Sequence, residues 1–148
     1  MTKKKKDPVP AKYKQKRKWL IETAREMRLE IKPDCQPLID YLKEKGIHFI
    51  YRPAIMLKDI GYCKGYIPDI VIFYLGAKVV VDFVDTNSKY YSKEYYVSKA
   101  ADLEKDGYLY YIIRKGGFAG DNDKNIIPFF NEVKNDILFE KREEQSQR

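Results

Sequence analysis

The sequence predicts an α/β fold, a central mixed sheet with helices on both sides. Three observations lead there. The hydrophobic pattern shifts from helical to strand-like near residue 47 and back to helical near residue 92. A nearly continuous apolar run, AKVVVDFVD at residues 77–85, has the pattern of a strand buried on both faces. The resulting order, α, α, β, β, β, α, β, α, joins a strand meander to a helical crossover. At 148 residues, 44% hydrophobic and 14% aromatic, the chain is one domain long and too apolar to be disordered.

Residues 1–12 contain Pro8 and Pro10 and no apolar period, so they are expected to be disordered. Trp19, Leu20, Thr23, Met27 and Ile31 predict a helix over about 13–31, stopped by Pro33. Asp34 is the expected N-cap of a second helix, with Leu38, Ile39, Tyr41 and Leu42 as its apolar stripe and Gly46 as its end. Residues 47–58 read as a strand that Pro53 bends or confines to an edge. Residues 66–75 are a second strand, Gly76 a tight turn, and 77–85 the third. Ser92 can cap a helix reaching about residue 106, with Tyr96, Ala100 and Leu103 on one face. Gly107 ends it, and residues 108–114 (YLYYIIR) form a fourth strand. Gly116, Gly117 and Gly120 mark a loop, and a last helix covers about 126–140. The expected organisation is a basic arm over 1–18, one domain over 19–140 and a polar tail over 141–148.

The net charge of +7 is uneven. Nine of the 29 Lys/Arg residues fall in the first 20: Lys3, Lys4, Lys5, Lys6, Lys12, Lys14, Lys16, Arg17 and Lys18. Asp7 is the acidic residue there, so the remainder holds 20 basic against 21 acidic residues. A cationic arm on a near-neutral body points to a polyanion such as nucleic acid. A solubilising tail would have the same composition.

Several classes are disfavoured. A bilayer span needs about 18 consecutive apolar residues, which the chain lacks. No apolar segment follows the N-terminal lysines, so a secretory signal is not expected. Cys35 and Cys63 are too few for a disulfide framework and lack zinc spacing, and one histidine, His48, argues against a Ser-His-Asp triad. A reducing, cytoplasmic setting is the expectation.

Charges inside apolar strands are the informative exceptions. Asp69 follows Pro68 at the start of the second strand, and Asp82 interrupts Val79, Val80, Val81, Phe83 and Val84. A buried carboxylate must be paired, hydrogen-bonded or on a metal. The turn at Gly76 can bring the two aspartates opposite each other. Two adjacent carboxylates without histidine suit a hard cation such as Mg²⁺, which lowers the pKa of an attacking water. Alternatively, each aspartate pairs with a lysine or caps a turn. Among the thirteen tyrosines, the pairs at 90–91 and 95–96 interleave with Lys89, Lys93 and Lys99, a composition that can stack bases and track phosphates.

Pro68–Asp69, a hairpin, then Val81, Asp82, Phe83 and Val84 resemble the PD-(D/E)XK nuclease superfamily, whose shared core is α-β-β-β-α-β. The likeness spans roughly residues 34–114. The helix holding Lys99, Asp102, Lys105 and Gly107 before the strand at 108–114 is similar to that of small very-short-patch-repair-like endonucleases. The resemblance implies a restriction-endonuclease-like fold and a Mg²⁺- (or Mn²⁺-) dependent DNA endonuclease, a hydrolase with Asp69 and Asp82 as metal ligands. The superfamily's lysine, two residues past the second acid, is replaced by Val84. Lys99, near the apolar face of the following helix, is the leading stand-in, with Lys89 and Lys93 behind it. Asp85 would reach a metal only if the strand broke before it, and Glu30 and Asp40 are loose matches to the first-helix acid.

DNA is the expected partner, with non-specific affinity from Lys3–Lys6, Lys14, Lys16, Arg17 and Lys18 and further contacts from Lys89 and Lys93. No membrane is expected, and a homodimer that cuts both strands stays open. Asp82→Asn is expected to abolish cleavage and spare the fold. The alternative is a catalytically eroded nuclease fold that binds nucleic acid or a protein partner without cutting.

Overall fold

The computed structural model describes residues 11–57, 64–119 and 122–146. Lys3–Lys6, Cys63 and Gly120, singled out above, lie outside them. Helix α1 (Ala11–Met27) opens the fold. Its start at Ala11 corrects two expectations, the disorder of residues 11–12 and the unstructured arm to residue 18: Lys12, Lys14, Lys16, Arg17 and Lys18 ride on a helix. Leu20 and Ala24, one turn apart, are its buried residues, whereas Trp19 is 54% exposed. The helix also stops earlier than residue 31. Pro33 disfavours helical geometry at the residue before it, and Lys32 is extended (φ −58°, ψ 125°).

A 3₁₀ turn (Pro33–Cys35) leads into α2 (Gln36–Lys45). Asp34 sits inside that turn, and Cys35 takes the N-cap position without a side-chain cap. Gly46, at φ +66°, closes α2 in the left-handed conformation that glycine tolerates. The strand expected over 47–58 divides in two, β1 (Phe49–Tyr51) and β2 (Ile55–Met56), around Arg52 (φ +48°) and Pro53. The next divides likewise into β3 (Gly65–Tyr66) and β4 (Ile70–Tyr74), with Pro68 between them. Pro68 has no N–H to give to a ladder.

β5 (Ala77–Val84), α3 (Lys93–Lys105), β6 (Tyr108–Arg114) and α4 (Asn122–Ser146) complete the chain. α4 is longer at both ends than the sequence predicts. It runs through Pro128 and takes up most of the expected polar tail.

The main sheet has the order β1-β4-β5-β6. β1 and β5 pair antiparallel with β4, and β6 is parallel to β5, reached through α3. β2 and β3 form a separate antiparallel ribbon. Alternation along the strands divides the core between two faces. Ile70, Ile72, Val79, Val81 and Phe83 meet Leu38, Ile39 and Leu42 of α2 and Phe129, Phe130 and Val133 of α4. Val71 and Val80 face the other way, toward Leu103 of α3 and Ile55, Leu57 and Tyr66 of the ribbon region. The result is a mixed α/β structure with a four-stranded sheet and flanking helices. No helix among the described residues is long and apolar enough to cross a membrane.

Candidate functional site: a buried charge cluster at the open end of the hairpin

Asp69, Asp82 and Lys99 are the three buried charged residues among those described, at 8%, 5% and 4% exposure. The local chain explains why they meet. The hairpin register puts Ile70 opposite Val81, so Asp69 and Asp82 occupy the next rung, at the end away from the turn. Asp82 shares the face of Val80, which α3 covers. Lys99 lies one turn before the buried Leu103 of α3, and its ammonium is 2.5 Å from Asp82 Oδ2. Sequence placement near the helix's apolar face thus located Lys99 against the sheet.

The two carboxylates clasp the strands reciprocally. The Asp69 backbone N–H donates to Asp82 Oδ1 at 2.8 Å, and the Phe83 N–H donates to Asp69 Oδ2 at 2.7 Å. The Tyr110 hydroxyl, on β6, donates to Asp82 Oδ2 at 2.6 Å. Lys32 donates to Asp69 Oδ2 at 3.1 Å and also to the Phe83 carbonyl. Arg52 Nε stands 4.0 Å from Asp69 Oδ1 and, among the described residues, has no hydrogen-bond partner despite its burial. The Arg52 guanidinium also donates to the Met27 carbonyl at the end of α1. Three cations therefore surround two anions, and the expected alternative, carboxylates paired with lysines, is also realised here.

Lys32, Arg52 and Tyr110 were not identified from sequence. Lys32 and Arg52 arrive from irregular segments whose course no periodicity reveals. Tyr110 could have been found by parity, since it pairs with Val80 in parallel register and shares the face of Asp82.

The surrounding phenols respond to this charge. Burial, then the Asp82 carboxylate, raises the pKa of Tyr110 well above the usual phenol value, and Tyr96 is raised for the same reasons. Burial also pushes the Cys35 thiol up to about 12, reinforced by the negative charge of Asp69. Asp102 serves a different purpose from the cluster. It accepts from Lys64 at 2.6 Å and Tyr66 at 2.7 Å, tying α3 to β3, and these bonds lower its pKa.

A groove of about 230 Å³ opens beside the cluster, lined by Lys32, Phe83, Val84, Asp85, Tyr90, Tyr91 and Tyr96. β5 ends at Val84, so Asp85 leaves the strand and reaches this groove. Its side chain lies 3.8 Å from Lys115. Lys89 and Lys93 are exposed on the loop and first turn that follow. Val84 is buried at 5% exposure. Glu30 and Asp40 do not join the cluster: the Glu30 carbonyl accepts from Tyr51, and Asp40 accepts from Gln36 on the surface of α2. Lys14, Arg17 and Lys18 are exposed on α1 and Lys16 is half-exposed over Trp19.

Whether the donor set fits a hard divalent cation can be tested on these contacts. Mg²⁺ needs only one or two carboxylates, water completing its shell. Among the described residues no donor lies within hydrogen-bond distance of Asp69 Oδ1, and both carboxylates stand on one rung, so the oxygen chemistry fits. A cation bound to Asp82 Oδ2 would share that atom with Lys99 or displace its ammonium. No family model matches the chain, and no curated protein matches it in sequence.

Proposed function

We propose that this protein is a metal-dependent endonuclease that hydrolyses DNA phosphodiester bonds. The supporting observation is the convergence of Asp69, Asp82 and Lys99 beside a groove, in a chain whose basic residues concentrate at one end. The sequence order α2, β1, β4, β5, α3, β6 agrees with the restriction-endonuclease-like core, given that the β2–β3 ribbon is an insertion. Asp69 and Asp82 would hold Mg²⁺ or Mn²⁺. When bound, such an ion polarises the phosphodiester and acidifies an attacking water.

The chain's own groups supply the rest. The reciprocal amide bonds fix both carboxylates before substrate arrives, which removes reorganisation from the reaction. Lys99, released from Asp82 Oδ2, is the cation available to stabilise charge on the phosphate, in place of the lysine that Val84 replaces. Tyr110 holds Asp82 in position. Lys32 anchors Asp69 and presents positive charge to the groove. The basic face of α1 adds affinity that depends on salt rather than sequence.

Asp82→Asn is not a clean test, because it leaves the buried Lys99 without a counter-charge. Asp69→Asn is the milder change: its bonded partner Lys32 is 31% exposed in its side chain and can turn to solvent, and the less exposed Arg52, 4.0 Å away, keeps its bond to the Met27 carbonyl. The measurement is nicking of supercoiled plasmid in Mn²⁺, Mg²⁺ or EDTA, with thermal melts of each variant. Metal-dependent nicking by the wild type, lost in a folded Asp69→Asn protein, is the expected result. Equal nicking by both would remove Asp69 from the mechanism.

The second reading is a nuclease-like fold that only binds. Val84 and the two lysines, Lys32 and Lys99, already bonded to the carboxylates favour it. It predicts salt-dependent DNA binding, no cleavage in any metal, and no rise in melting temperature with Mn²⁺.

A further inference from the structure

From the end of β5 into the first turn of α3 the chain exposes aromatic surface. Tyr90 is 82% exposed and Tyr95 50% exposed. Tyr91 stacks on Tyr96 with ring centroids 5.8 Å apart and planes 19° from parallel, and Tyr95 meets Tyr96 edge-on at 5.0 Å. Tyr90, Tyr91 and Tyr96 form one wall of the groove beside the acids, and Lys32 stands in its lining. Lys89 lies 5.0 Å from the Tyr90 ring centroid, and Lys93 follows at the start of α3. The local acids are Asp85, which has Lys115 nearby, and Glu94, which accepts from Ser92. Lys89 and Lys93 therefore stand against these two acids, one of them partly neutralised, while Lys32 lines the groove and is paired with Asp69.

Open aromatic faces interleaved with lysines, along a groove, match the requirements of unpaired nucleotides. Bases stack on rings regardless of sequence, and phosphates follow the cations. An intact duplex offers its phosphates but keeps its base faces stacked inside. We infer that the segment from Lys89 to Tyr96 is a stacking platform for single-stranded nucleic acid, with a base on Tyr90 and a neighbouring phosphate at Lys32. This inference rests on the proposed function in taking Asp69 and Asp82 as the acids that the strand passes, and it narrows the substrate to unpaired or splayed strands.

The test is fluorescence anisotropy in EDTA, where cleavage is suppressed, with a labelled 12-nucleotide DNA strand and the duplex of the same sequence. The full-length protein, Tyr90→Ala and Tyr90→Phe are compared at one salt concentration. Because α1 and the N-terminal lysines favour both forms, the ratio of the two affinities is the readout. The wild type is expected to prefer the single strand. Tyr90→Ala should lose roughly 5- to 150-fold on the single strand, the range for one stacked base, and little on the duplex. Tyr90→Phe should keep the preference, since the ring and not the hydroxyl does the stacking. Tyr90 is exposed, so Tyr90→Ala is expected to melt like the wild type.

Equal loss on both forms, no loss, or a wild-type preference for duplex would overturn the inference. A single-stranded RNA of the same sequence forms a further arm. Tighter binding of either single strand than of duplex supports the platform, and the difference between them identifies the sugar preferred. Failure here leaves the plasmid-nicking result untouched. Conversely, absence of nicking with a retained single-strand preference would remove the nuclease reading and leave the platform standing.

Discussion

Lys99 and Asp82 are both nearly inaccessible to water, so neither charge is tolerable without the other. Lys99→Met is expected to cost about 3–5 kcal/mol in urea unfolding, because it abandons a buried carboxylate. A double Lys99→Met/Asp82→Asn protein should recover part of that loss, since both charges are removed and the amide oxygen can still accept from the Asp69 N–H. Cys35 gives a prediction in pH. Its thiol rises from an ordinary 9.0 to about 12 on folding, so the folded chain keeps a proton that the unfolded chain gives up. The associated stability is complete below about pH 9 and declines as pH climbs toward 12. Between pH 9 and 10 melting temperature should fall more steeply in the wild type than in Cys35→Ala, whose remaining decline comes from buried tyrosines such as Tyr110 and Tyr96. At this scale the sequence was legible where a charge interrupted an apolar run, as at Asp69 and Asp82, and where a helix position set direction, as at Lys99. It was silent on Lys32 and Arg52, whose positions depend on a proline-terminated helix and a left-handed residue.

The β4–β5 hairpin turns on two residues, Leu75 at φ +51° and Gly76 at φ +80°. Positive φ at both central positions defines the tight hairpin turn that favours Asn-Gly. Leu75 is 47% exposed, so its side chain contributes little packing to offset a conformation that costs a branched residue about 1 kcal/mol or more. Leu75→Asn is therefore expected to stabilise the protein by about 0.5–1 kcal/mol, read as a higher urea midpoint with an unchanged slope. This hairpin was legible because its turn glycine and its apolar strands agree. The strands before it were not, since β-branched and aromatic residues continue across both breaks. Arg52 and Pro53 fold β2 away from β1, and Pro68 separates β3 from β4. The ribbon thereby leaves the main sheet and packs across its α3 face, beside α1. There a Cβ on Gly65 would lie 2.7 Å from Leu20 Cδ2 and Met56 Sδ and 3.0 Å from the Ile55 carbonyl, so a larger residue would have to displace those two side chains.

Charge organises the molecule as a whole. Lys14, Arg17 and Lys18 point outward from α1, with Lys16 against Trp19, on a body that is otherwise close to neutral. Replacing these four by Gln should weaken duplex binding uniformly across sequences. It should also flatten the dependence of log affinity on log salt by about 0.9 for each phosphate that the helix no longer neutralises. Titration at several salt concentrations checks this, and an unchanged slope would mean that α1 does not touch the backbone. The position of the acids on the hairpin has a temporal consequence. A two-residue turn lets β4 and β5 zip locally, on the order of 1–10 μs. The parallel β6 must wait for a crossover more than twenty residues long, and non-local pairing is slow. Asp69 and Asp82 are the last rung to close, and both Lys99 and Tyr110 arrive only with the crossover. Until then, among the described residues, the open end of the hairpin has only Lys32 and Arg52, from earlier in the chain, to balance its two carboxylates. Formation of the charge cluster thus coincides with completion of the sheet, so a chain that has its acids paired has already passed its slowest step.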